Sequence, residues 1–133
     1  MHRELTPQTV GPPSANYALA TLSDGADRWL HTSGIGPVRP DGTVPEDLAE
    51  QAEAVWSTLL SLIDEAGLAL TDVVSVTTYA VQGDDLSGDL GVIMAARDQA
   101  LGGHRCASIL VPVPALATPS WRMEIAVVAA GAG

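Results

Sequence analysis

Apolar and polar positions alternate from Tyr17 to Leu22 (YALATL) and continue as a second short run from Arg28 to Ser33 (RWLHTS), with Asp24-Gly25 between them. That pattern predicts two strands joined as a hairpin. Residues 1–16, rich in Pro, Thr and Ser, read as an extended N-terminal arm, and GIGPVRPDGTV after the second strand reads as a loop. The period then lengthens. Leu48, Val55, Trp56, Leu59, Leu60 and Ile63 recur at helical spacing. Pro45, Glu46 and Asp47 suit the start of that helix and Gly67 its end. Thr71–Val81 is rich in β-branched residues and predicts a strand. Residues 85–101 predict a second helix, with Gly88 and Gly91 in its first half and Gly102-Gly103 as its stop. Cys106–Val113 and Met123–Ala129 predict two further strands around a proline-containing turn.

The predicted order is β-β-α-β-α-β-β, an α+β fold in which two helices cover one face of a single sheet. The last two strands carry apolar residues at nearly consecutive positions (ASILV, IAVVAA). Such strands expect burial on both faces. Either a partner covers the second face, most simply another copy of the chain, or small residues such as Ala lie on a wet face. Trp29 and Trp56 read as core.

Length and composition narrow the classes. The 133 residues suit one domain over 1–133, and 47% hydrophobic against 17% charged residues excludes disorder. No apolar run reaches the roughly 20 residues of a membrane helix. The N-terminal MHRELTPQTVGPPS has no apolar segment of the signal-peptide kind, so a cytoplasmic protein without a membrane partner is expected. Sixteen acidic against six basic residues leave a net charge of −10, and the six arginines are scattered. Nucleic-acid binding needs clustered cations and is not expected. There is no Lys, which excludes a lysine Schiff base with pyridoxal phosphate. Cys106 is the single cysteine, and His2, His31 and His104 lack metal-ligand spacing. Neither a metal nor a cofactor is expected.

Four stretches in order resemble one known family, the Rid (YjgF) family, whose founding activity is enamine/imine deamination. Tyr17 stands where that family places a tyrosine after its arm. HTSGIGPVRPDGTVPEDLAEQ resembles its T-S-G stretch, IDEAGLALTDVVSVTTY its A-G…D-V-V…T-V-Y signature, and ALGGHRCASILVPVPALATPSWRMEIAVVA its closing R-P-A…V-E-I-E segment. The resemblance implies a chorismate-mutase-like homotrimer with small-molecule sites in clefts between subunits. It further implies hydrolytic water-mediated acid/base chemistry. A glutamate holds the attacking water, and an arginine of the P-A-R triplet grips the substrate carboxylate. In this chain Glu124 matches the glutamate and Ser33 the T-S-G serine. Ser108 stands at the arginine position, and Met94 stands where the family has a helix asparagine. Arg105 lies three residues earlier, a shift that reverses the strand face. The departure implies a poor deaminase of 2-aminoacrylate-type imines. It leaves two readings open: an enzyme acting on a reactive enamine, imine or related metabolite, or a non-catalytic small-molecule-binding or proteostasis trimer. Ribonuclease activity suits so acidic a chain poorly.

Each candidate residue carries a plainer alternative. Glu124, in the apolar run MEIAV, is a catalytic carboxylate or a solvent-facing edge residue. Arg122, two residues earlier and so expected on the same sheet face, pairs with Glu124 or holds an anion. Otherwise it forms a surface salt bridge. Tyr17 contacts a ligand or packs at an interface. Ser33 donates to a ligand or caps a turn, and Ser108 offers a neutral hydroxyl to a ligand or fills space. Cys106, with His104 two residues away, is a nucleophile if its thiol is acidified and inert core otherwise. Trp121 walls a cleft or packs the core.

Overall fold

The computed structural model describes all 133 residues. Its elements are β1 (His2–Glu4), β2 (Thr21–Ser23), β3 (Arg28–His31), α1 (Leu48–Glu65), β4 (Val73–Val81), α2 (Leu86–Ala100), β5 (Ala107–Val113) and β6 (Met123–Gly131). A short 3-10 turn, Leu70–Asp72, leads into β4. Four strands form the main sheet in the order β3-β6-β4-β5, with β4 and β5 parallel and the other pairs antiparallel. Both helices lie on one face, the chorismate-mutase-like α+β arrangement expected from the sequence.

Local signals account for the helix limits. Asp47 caps α1 by accepting from the Glu50 amide, and Asp85 caps α2 by accepting from Gly88. Pro45 therefore precedes α1 rather than opening it. Gly67, at φ +72°, turns the chain after α1. The core joins Val55, Trp56, Leu59 and Ile63 of α1 to Val73 and Val76 of β4 and to Met123, Ile125, Val127 and Ala129 of β6. These β6 positions are alternate residues, so one face of the strand is fully committed to the helices.

Two expectations about the N-terminal half are corrected. The segment before Asp24-Gly25 does not pair with the segment after it. β2 pairs with β1, and β3 pairs with β6. The Asp24-Gly25 signal marks a bend, with Gly25 at φ +73°, but not the partner of each flank. β6 offers β3 a longer ladder, extended by the bond from the Thr32 amide to the Val127 carbonyl. The arm is likewise not free of structure: His2–Glu4 is a strand, and the His2 imidazole contacts the Ser23 hydroxyl and the Ala130 carbonyl.

The other sheet face is uncovered within the chain. It carries Trp29, Tyr79, Ile109 and Val111, which are 54%, 39%, 59% and 38% exposed. Trp29 is thus not core. It pairs across the ladder with Ala130 while its neighbour Leu30 takes the helix side, and its ring stacks on His31. Trp56 is buried, as expected. No helix is long and apolar enough to cross a membrane.

Candidate functional site

Strand register separates the predicted site residues into two groups. Ser108 pairs with Val76, and Val76 pairs with Val127, so Ser108 shares the helix-facing side of the sheet with those core residues. Glu124 pairs with Tyr79 and projects from the open face. Within one chain Glu124 and Ser108 therefore lie on opposite faces.

The first group lines a cleft of about 240 Å³ at the β5 edge, where Ser14, Tyr17, Met94, Arg97, Ser108 and Leu110 meet. Tyr17 and Ser108 both belong to it. The isolated bridge between Ala18 and Ala107 clamps the two segments side by side. The Ser14 hydroxyl and amide reach the Tyr17 hydroxyl at 3.3 and 3.4 Å. These contacts hold the phenol below its ordinary pKa.

Arg97 is the group that the sequence reading missed. It comes from α2, is buried, and its Nη1 donates to Ser108 Oγ at 3.2 Å. The cleft therefore contains a guanidinium although β5 supplies none. One signal was present in the sequence: Ile93, Arg97 and Leu101 form an i, i+4, i+8 stripe, and Met94 lies one turn before Arg97, so a charge sits within an inward helix face. Arg97 Nε and Nη2 both donate to Asp98 Oδ1, at 3.3 and 3.2 Å, and Nη2 also reaches the Asn16 carbonyl at 3.4 Å.

Arg105 stands outside this cleft, in agreement with the strand-face argument. It grips Glu4 through Nε at 3.2 Å and Nη2 at 2.7 Å, and donates to the Tyr17 carbonyl at 2.8 Å. This ion pair draws the Glu4 carboxyl below its usual range. Its work is positional: it fastens β1 and the arm to the start of β5, and so sets Tyr17 over the cleft.

The second group surrounds Glu124. Residues 32–35 run beside β6, with amide–carbonyl bonds in both directions between Ile35 and Ile125. Gly34 lies against the Glu124 side chain, and a Cβ on Gly34 would overlap its carboxylate. A side chain at this position would displace the Glu124 carboxylate from where it stands. Ser33 is exposed one residue away, and Glu124 itself is half-buried. Trp121 covers Gly36 in the same loop, so it braces the Gly34 segment.

One expectation is corrected, and the plainer reading of Cys106 holds. Arg122 does not share the Glu124 face; its guanidinium turns to α2 and pairs with Asp89 at 3.1 Å. Position two residues back on an extended strand predicts a common face, but Arg122 precedes the first residue of β6, where alternation has not begun. Cys106 is 4% exposed, and burial pushes its thiol up from 9.0 to about 11, against a smaller opposing pull from Arg97. It is a protonated core residue, not a nucleophile. His104 gives it no help, since its Nε2 bonds the Val73 carbonyl at 2.8 Å. A larger hollow of about 540 Å³ along α1, lined by Arg39, Glu50 and Glu53 among others, contains none of the predicted residues.

Known proteins with the same pattern define the family. The profile of the endoribonuclease L-PSP family matches residues 9–131. A RutC family protein of Haemophilus influenzae is 31% identical over 88 residues, 65% of this chain and 62% of that protein. The 2-iminobutanoate/2-iminopropanoate deaminase of Escherichia coli K12 is 30% identical over 83 residues, 60% of this chain and 65% of the enzyme. The matches thus span less than two thirds of those relatives. YyfB, a conserved Rid family protein from Yersinia pestis, superimposes with a TM-score of 0.83 at 25% identity, covering 98% of both chains. TdcF of Escherichia coli, solved with bound serine, shares the fold at a TM-score of 0.70 and 22% identity over 98% of this chain and 99% of that one. Profile, relatives and fold agree with the four motif stretches: the chain belongs to the endoribonuclease L-PSP family, the Rid (YjgF) proteins.

Proposed function

We propose that this protein is a hydrolytic Rid-family enzyme that acts on a reactive enamine, imine or related small metabolite in clefts between the subunits of a homotrimer. The observation that carries the reading is the division of the site. A cation, a phenol and a hydroxyl line one helix-side cleft, while the carboxylate stands on the opposite, uncovered face. In such a trimer the open face of one subunit would meet the β5 edge of its neighbour, and Glu124 would supply the carboxylate that a chain cannot bring to its own cleft.

Each residue then has a stated task. Arg97 and Ser108 hold the ligand, and Tyr17 closes the rim. Glu124, positioned by Gly34, takes a proton from the water that attacks the imine carbon. The imine carbon gains the water oxygen and the nitrogen leaves as ammonia, so an imine and water become a carbonyl compound and ammonia. The printed activity of the Escherichia coli relative, 2-iminobutanoate and 2-iminopropanoate deamination, supports the coarser class for this chain.

Two inactive variants test the arrangement together. Glu124→Gln and Arg97→Gln are each expected to lose turnover of uncharged imines generated by a coupled amine oxidase, by roughly 10²-fold or more for Glu124. Mixing and reassembling the two in equal amounts restores activity, because roughly a quarter of randomly formed interfaces unite an intact Glu124 with an intact Arg97. Failure of the mixture to recover, with both variants folded and each wild-type residue proven necessary, rules out a shared cleft. Ligand binding without turnover in the parent protein instead assigns the binding-protein reading.

A further inference from the structure

We infer that the ligand end held by Arg97 and Ser108 is an uncharged carbonyl, as in an amide, ester or ketone, and not a free carboxylate. The inference rests on the reading of this cleft as the ligand site and concerns what it selects. A guanidinium has five N–H donors, and it grips a carboxylate by presenting two of them along one edge. In Arg97 the Nε–H and one Nη2–H go to Asp98 Oδ1, and the second Nη2–H goes to the Asn16 carbonyl. One Nη1–H goes to Ser108 Oγ. A single Nη1–H is left uncommitted. Both edges that could hold two carboxylate oxygens are therefore blocked, because each includes Nη2.

Ser108 accepts from Arg97, which leaves its own O–H free to donate. The cleft thus offers two neighbouring donors, one N–H and one O–H, and a carbonyl oxygen has two lone pairs to receive them. Charge leads to the same result. The Arg97 side chain is only 8% exposed, and its counterion Asp98 already neutralises it at 3.2 Å. A bound carboxylate would add an uncompensated negative charge there, in a chain of net charge −10. Met94 and Leu110 supply an apolar wall for the remainder of the ligand. Asp98 is thus a specificity-determining residue that touches no substrate itself and sets what Arg97 can accept.

Two probes of equal shape separate the possibilities: 2-oxobutanamide and 2-oxobutanoate, titrated into the full-length protein and followed by amide NMR signals of Tyr17 and Ser108 together with calorimetry. The amide is expected to bind the parent protein at least about tenfold more tightly. Asp98→Asn keeps an acceptor oxygen but removes the built-in anion, so carboxylate affinity rises by about tenfold while amide affinity changes less than about threefold. Asp98→Ala is the second variant and shifts the preference the same way. A parent protein that prefers the carboxylate, with Tyr17 and Ser108 signals moving, overturns the inference and leaves the cleft reading standing. An unchanged preference in both Asp98 variants also overturns it. Failure of both probes to move those signals overturns the cleft reading and the inference together.

Discussion

At the scale of single residues, the chemistry depends on which groups the fold leaves charged and reachable. Cys106 shows the opposite outcome. Its sequence neighbour His104 suggested an activated thiol, yet the two face different partners and burial keeps the thiol protonated to about pH 11. Iodoacetamide is therefore expected to leave Cys106 unmodified at pH 8 in the folded protein and to label it rapidly once urea unfolds the chain, read by mass spectrometry. The same shift has a stability consequence. A thiol whose folded pKa lies above its unfolded value contributes stability below about 9, and that contribution is lost as pH rises toward 11. Chemical melts of the parent protein should weaken across this window more than those of Cys106→Ala. Arg97 is the contrasting residue: also buried, it is paired with Asp98, and its place in the apolar stripe of α2 was the one sequence signal for it, which did not say what it would meet.

At the scale of elements, the site depends on how α1 grips the strand that carries Glu124. Gln51 is 2% exposed. Its Nε2 donates to the Pro45 and Ser120 carbonyls at 2.8 and 3.0 Å, and its Oε1 accepts from the Arg122 amide at 2.9 Å. One amide side chain thereby ties the chain before α1 to the residues that open β6. Gln51→Leu keeps the volume and leaves three backbone groups unpaired. The expected cost is about 2–4 kcal/mol, and the Tm falls by roughly 10 °C in a calorimetric scan. An unchanged Tm would show that water replaces the bridge at no cost. The periodicity of α1 predicted its apolar face correctly, but Gln51 lies within that buried face. A polar residue there is legible only after the ends of two other segments are known to converge on it.

At the scale of the whole molecule, the open sheet face is the feature that one chain leaves unfinished. Ile109, Trp29, Tyr79 and Val111 together expose more apolar surface than scattered single residues account for. Light scattering at micromolar concentration should give about three chain masses. Ile109→Lys places a charge on the centre of β5 without touching the helix-side core. It should yield a folded, smaller species with a normal circular dichroism spectrum and no imine turnover. A parent protein that is already monomeric would remove the basis for a shared cleft.

The sequence by itself determined the types and order of the elements from β2 onward, the apolar face of α1, the two-sided apolarity of the last strands and the family. These depend on residue periodicity and local capping, which are properties of neighbouring positions. Tertiary structure alone decided that β2 pairs with β1 and β3 with β6, that Arg122 turns to Asp89, and that Trp29 lies on the surface. It alone placed Arg97 beside Ser108 and filled its fork with Asp98. Those outcomes join residues far apart in the chain or depend on where a strand begins its alternation. A strand's pattern states that one side is buried, but its partner and the contents of the space above it are set only when every other element has taken its place.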